Sequence, residues 1–116
     1  MKHSMKLYKE PFEKIASGKK TVEMRLNDEK RQRLSVNDEI EFSCENSSVI
    51  ICKVKALRHY RDFYELYSKE NLTACGYKEK EKADPADMER YYSKEKIEKY
   101  GALAIEICDV KLKDRE

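Results

Sequence analysis

The stretch Gly18–Asp28, GKKTVEMRLND, decides how the chain is read. Val22, Met24 and Leu26 alternate as the apolar face of a strand, so Thr21, Glu23 and Arg25 share the other face, with Lys19 and Lys20 at its entry. On a half-buried antiparallel sheet such a face meets water, and Glu beside Arg is then a surface pair worth ~0–1 kcal/mol. Spacing alone favours that solvated face. The alternative is the wall of a polar pocket, because hydroxyl, carboxylate, guanidinium and ammonium together offer what a polar heterocycle or phosphate needs. Two neighbouring features support the pocket. Gly18 reads as the stop of a preceding helix, which holds Lys19 and Lys20 in place, and the basic run Lys30, Arg31 and Arg33 follows at once.

Working outward, MKLY (residues 5–8) reads as a first short strand. KEPFEKIASG reads as a helix, with Pro11 at its first position and Phe12, Ile15 and Ala16 on one face. NDEKRQRLSVND is a polar loop or short helical turn. DEIEFSCENSSVIICKVKAL reads as a β-hairpin, with Ile40, Phe42 and Cys44 alternating inward, ENSS supplying the turn and a nearly continuous apolar second arm marking a central strand. RDFYELYSKE is a helix capped by Asp62, with Glu65 at capping-box spacing and Phe63, Leu66 and Tyr67 on its apolar side. The segment from Asn71 to Asp87 reads as a mobile surface loop. A helical turn after Asp84-Pro85, a helix between Ser93 and Gly101, and a closing strand ALAIEICDVKL complete the chain. Strands joined by hairpin-length connections, with no βαβ rhythm, predict an antiparallel sheet or small barrel with helices at one end.

The chain has 116 residues, enough for one core and too few for two. Its 25 basic residues nearly cancel its 23 acidic ones, so any anion-binding role must come from local clustering and not from net charge. No apolar run approaches the ~18–20 residues of a membrane span, and MKHSMKLYKE lacks the apolar core of a secretion signal. Cys44, Cys52, Cys75 and Cys108 form no C-x-x-C pair and lie beside neither His3 nor His59. They are expected to be reduced thiols of a cytoplasmic protein, with no metal site.

No nucleophile elbow, zinc-protease motif, P-loop or glycine-rich dinucleotide turn is present. His3 and His59 read as surface residues. Lys20 is the stronger catalytic candidate, with Glu23 near enough to pair with it. Of the eight tyrosines, Tyr91, Tyr92 and Tyr100 lie close together before the last strand, and exposed rings beside basic residues can stack on unpaired bases.

In order along the chain, Gly18, Lys20, Glu23 and Arg25 match a G-x-K-x-x-E-x-R element. LSVNDEIEF matches a hydrophobic-G-D-x-I-x-F element with Asn37 in place of glycine, and YSKEKIEKYGALAIEI ends in a Y-G-hydrophobic strand. Together these resemble the ASCH domain, a branch of the PUA-like superfamily, over about Leu7 to Ile107. Asn37 suits the change, since asparagine tolerates the left-handed backbone that glycine would supply there.

The resemblance implies an α+β fold, a small and mostly antiparallel PUA-like β-barrel with short flanking helices, as a single domain over residues 1–116. It implies a cleft beside Gly18–Arg25 that takes an RNA base, nucleoside or phosphate, as members are proposed to bind RNA or modified nucleosides. Lys19, Lys20, Thr21, Glu23, Arg25 and Tyr92 are then the expected binding residues, and RNA or a nucleotide the expected partner, with no cofactor. A hydrolase is the alternative. Small bacterial members act as amidohydrolases on N4-acetylcytidine through a Lys, a Thr and a Glu; the lysine matches Lys20, while the threonine position falls at Glu23. In an enzyme of this kind or a ribonuclease, Lys20 would act as base or activator and Glu23 would polarise water. A third alternative is a protein-interaction module using the helices near Tyr91 and Tyr92.

Overall fold

A computed structural model of the chain describes residues 1–45 and 48–114. Among these, β1 (Lys2–Lys6), β2 (Val22–Leu26), β3 (Glu39–Ser43), β4 (Ser48–Tyr60) and β5 (Ala102–Asp114) form one sheet in the order β1-β3-β4-β5-β2. All neighbouring pairs are antiparallel except β1 and β3, which run parallel. The sheet is thus mixed, and it curls into a half-barrel. Register shifts between β4 and β5, at Ile51/Lys53 and Val54/Ala56, supply the kind of local twist that curls a sheet. The helices are α1 (Lys9–Ala16), α2 (Phe63–Lys69) and α3 (Lys94–Tyr100), with 3-10 turns at Arg31–Arg33 and Pro85–Arg90. No described helix is long and apolar enough to cross a membrane.

Local sequence explains most of these boundaries. Asp62 accepts from the Glu65 amide at 2.8 Å, and Glu65 reaches back to the Arg61 amide at 2.9 Å, closing a capping box one residue early. Ser93 caps α3 through the Lys96 amide, and Gly101 stops it with φ +78°. Asn37 adopts φ +76°, the left-handed conformation expected of it. Helix α1 begins at Lys9, placing Pro11 third; its missing N–H still falls among the unpaired donors of the first turn. Of the expected ENSS turn, Asn46 and Ser47 lie outside the described residues.

Strand β1 begins at Lys2, earlier than the sequence suggests, because His3 and Met5 point inward opposite Ile40 and Phe42 of β3. His3 is consequently buried, not a surface residue, and its Nε2 lies 2.8 Å from Asp38 Oδ2. Burial of a polar ring is tolerated there because a carboxylate 35 positions away meets it.

Both faces of the sheet are covered. On one, Phe12 and Ile15 of α1 pack against Ile40, Phe42, Ile50, Val54, Leu103, Ile105 and Ile107. On the other, Phe63, Leu66 and Tyr67 of α2, with Met88, cover Val22, Ala102 and Ala104. The start of β5 is therefore buried on both sides, with large residues toward α1 and alanines toward α2. Strand β2 is its neighbour. Its Glu23 and Arg25 stand opposite Ile105 and Leu103, on the α1 side, while Val22 and Met24 stand opposite Glu106 and Ala104. The polar face that spacing favoured as solvated is covered at its centre, where Glu23 is 4% exposed, while Thr21 at its start stays exposed.

Candidate functional site

Strands β1 and β2 are the two edges of the sheet and share no ladder. Side chains bridge the gap between them. Arg25 Nη2 donates to the Lys6 carbonyl at 2.7 Å, and Lys30 Nζ donates to the Ser4 carbonyl at 2.9 Å. Along this seam lies a cavity of about 390 Å³, within the usual size of small-molecule sites. Its walls come from the end of β1 and the start of α1 (Lys6, Leu7, Tyr8, Lys14), from β2 and its approach (Lys20, Glu23, Met24, Arg25), and from the segment Cys75–Tyr77. Glu10 and Pro11 of α1, Glu81, Asp87, Met88 and Arg90–Tyr92 complete them.

Glu23 is the centre of the charged wall. Its Oε1 accepts from Lys20 Nζ at 2.9 Å and from the Met24 amide at 3.2 Å, and its Oε2 accepts from Arg25 Nε at 2.8 Å. Burial pushes the carboxyl up, but the two cations and their hydrogen bonds outweigh it and hold Glu23 below its ordinary value. It is therefore ionised at neutral pH, and the three side chains carry one net positive charge. Lys20 has three N–H donors, one of them bonded to Glu23. Arg25 uses Nε and Nη2 and keeps the donors on Nη1. The trio therefore offers donors beyond those spent within it and one net positive charge, suited to phosphate or carbonyl oxygens.

Lys20 is positioned by packing from the opposite wall. Gly76 has φ +109°, and a Cβ there would stand 3.2 Å from Lys20 Cδ, so glycine lets the lysine stem lie flat against it. Lys14 Nζ fastens the Gly76 carbonyl at 2.7 Å, and the Ala74 carbonyl accepts from both Thr21 and Val22 amides. The segment read from sequence as a mobile surface loop is in these residues a wall of the cavity, tied to α1 and β2.

Aromatic rings line the rest. Tyr92 stacks on Phe63 with centroids 5.9 Å apart and rings 1° from parallel, and burial pushes its phenol up despite nearby Arg25. The Tyr77 hydroxyl donates to Asp87 Oδ2 at 3.0 Å and lies 2.6 Å from the Tyr67 hydroxyl. Burial raises the Tyr77 phenol and pushes that of Tyr67 up to about 12. Tyr8 and Tyr91 are exposed, and their rings meet at 5.9 Å.

Of the expected site residues, Lys20, Glu23, Arg25 and Tyr92 come together in this cavity. Lys19 and Thr21 do not line it; both are exposed, and what Thr21 contributes is backbone pairing with Ala74 and Ile107. The basic run is used elsewhere: Lys30 on the seam, Arg31 in an ion pair with Asp28 at 3.1 Å. Tyr100 does not line the cavity with Tyr91 and Tyr92, and its hydroxyl donates to Glu29 at 3.2 Å. Tyr8, Tyr77 and Asp87 escaped the sequence reading. Tyr8 carried one signal, since it occupies the N-cap of α1 without any side-chain cap bond, where Ser or Asp would stabilise the helix by about 1 kcal/mol.

A curled, mixed five-stranded sheet with a few short helices is the arrangement of a PUA-like domain. The ASCH domain model matches residues 5–111, and the chain belongs to that family. Hypothetical protein PH0355, known from a crystal structure, is 35% identical, with 92% of this chain and 97% of that one covered and a TM-score of 0.76. Protein PF0455 from Pyrococcus furiosus, solved by NMR, is 37% identical over 92% and 96% of the two chains, with a TM-score of 0.72. The ASCH protein of Zymomonas mobilis shares the fold at 22% identity and a TM-score of 0.61, over 91% of this chain and 66% of that one. No functionally curated protein matches the chain at a significant level.

Proposed function

We propose that this ASCH domain binds single-stranded RNA, with a base or nucleotide entering the cavity between β1 and β2. The observation that carries the reading is the buried Lys20–Glu23–Arg25 wall, whose free donors and net positive charge face a cavity large enough for a nucleoside. Lys20 and Arg25 meet phosphate or carbonyl oxygens, Glu23 orients both cations, and Tyr92 offers an aromatic side wall. The family's association with RNA binding supports the same ligand class.

The hydrolase alternative has weaker support. Glu23 is held ionised and both its oxygens are occupied, which makes it a poor proton acceptor at neutral pH. Among the described residues lining the cavity there is no serine, threonine or histidine. The thiol in its wall, Cys75, is pushed up to about 11 by burial, far from a reactive thiolate.

The test is a binding titration with labelled single-stranded RNA at several salt concentrations. Affinity should fall with salt in proportion to the phosphates contacted. Lys20→Ala should raise Kd about tenfold or more, while Arg58→Ala, outside the cavity, should not. Equal affinities for the two variants would remove the cavity from the interaction.

A further inference from the structure

The mouth of the cavity carries two exposed aromatic rings that the charged wall does not use. Tyr8 is 72% exposed and Tyr91 55% exposed. They come from segments far apart in the chain, Tyr8 from the junction of β1 and α1 and Tyr91 from the end of the 3-10 turn Pro85–Arg90, yet their centroids are only 5.9 Å apart with the rings tilted 38°. Tyr91 also meets Tyr92 at 6.5 Å, and Tyr92 stacks on Phe63. An aromatic ladder thus runs from solvent into the core, past the charged wall.

A single exposed tyrosine needs no explanation. Two rings from distant segments, both on the rim of one cavity and both open to solvent, form a continuous π surface. Charges of both signs flank it: Lys6 and Glu10 lie two residues either side of Tyr8, with Glu10 paired to Lys14 at 3.1 Å, and Arg90, 3.8 Å from Asp87, immediately precedes Tyr91; all line the cavity. Tyr8 also occupies a helix N-cap that contributes no side-chain cap, so its presence there is not accounted for by the helix. Rings that accept bases, with cations beside them for the backbone, are the elements that hold an unpaired strand.

We propose that Tyr8 and Tyr91 are a stacking platform for a second base, next to the one that enters the cavity. The ligand is then an unpaired strand of at least two nucleotides, not a free nucleoside or a duplex. This inference rests on the nucleotide-binding reading of the cavity. A base in the duplex stack has no free face to offer the rings, whereas an unpaired neighbour does.

The test uses the full chain and calorimetric titration with uridine monophosphate, the dinucleotide UpU and the same pair in the adenine series. The quantity read is the ratio of dinucleotide to mononucleotide affinity. In Tyr8→Leu/Tyr91→Leu, which keeps an apolar rim but removes the rings, that ratio should fall about tenfold or more. In Tyr8→Phe/Tyr91→Phe it should return to the wild-type value. An unchanged ratio in the leucine variant, with thermal melts showing it folded, overturns the platform and leaves the cavity reading intact. Should the leucine variant fail to fold, Tyr91→Leu alone is read by the same ratio. Wild-type protein that binds neither ligand overturns both.

Discussion

Two charged clusters flank the same sheet and are built from nearly the same parts. In the cavity, one carboxylate, Glu23, sits between two cations, Lys20 and Arg25. On the α2 side, one guanidinium, Arg58, sits between two carboxylates: Nε and Nη2 engage Glu70 at 2.6 and 2.8 Å, and Nη1 engages Glu106 at 2.9 Å, with the Tyr60 hydroxyl also donating to Glu70. Every nitrogen of Arg58 is thus engaged. The cluster fastens the C-cap of α2 to β4 and β5 and offers a ligand little. The cavity cluster has the opposite balance, with donors left over and a net positive charge. An ion network becomes a candidate site when its geometry leaves something unsatisfied beside a space, and a fastening when it does not.

The comparison can be broken most directly at Glu23. Glu23→Gln leaves Lys20 and Arg25 buried without a counter-charge, so stability should fall by about 3–5 kcal/mol in urea unfolding. A loss under about 1 kcal/mol would mean that water screens the cavity wall as well as it screens a surface pair. Glu70→Gln should cost less, about 1–2 kcal/mol, because the Arg58 side chain is 36% exposed and can be hydrated. Equal losses at the two positions would erase the distinction between site and fastening.

The smallest effect is on pH dependence. Glu23 is held below its ordinary value of 4.5 by Lys20 and Arg25 against the push of burial, and Glu70 mainly by its hydrogen bonds to Arg58. A carboxyl titrating lower when folded binds fewer protons than in the unfolded chain. Its stabilisation is therefore complete above pH 4.5 and is lost as pH falls below that value. Wild-type stability should decline in this acid range, and each glutamine variant should show a shallower decline. A variant whose acid limb is as steep as that of the wild type would assign the lost protons to other carboxylates.

Much of this architecture was legible in the sequence because its signals are local. The Asp62 and Ser93 caps, the Gly101 stop and the left-handed Asn37 each depend on a few neighbouring residues, and each appears where read. What local signals could not show was what covers the polar side of β2. That depends on α1 and on the segment around Gly76, whose hold on the strand runs through Lys14 and Ala74. The same holds for His3, buried by Asp38 35 positions away, and for the parallel pairing of β1 with β3. Lys20, Glu23 and Arg25 stood out as a set because their spacing matches a family motif. Tyr8 did not, since its partner Tyr91 is brought to it only by the closure of the chain.

The side chains that span the seam have a consequence for how the protein behaves in a crowded solution. An open strand edge presents a row of backbone groups that another molecule's strand can pair with, the usual start of edge-to-edge aggregation. Along β1, the Ser4 and Lys6 carbonyls that face the gap are already occupied by Lys30 and Arg25. Arg25 thus blunts a sticky edge as well as facing the cavity, and replacing it with a short apolar residue would cost solubility.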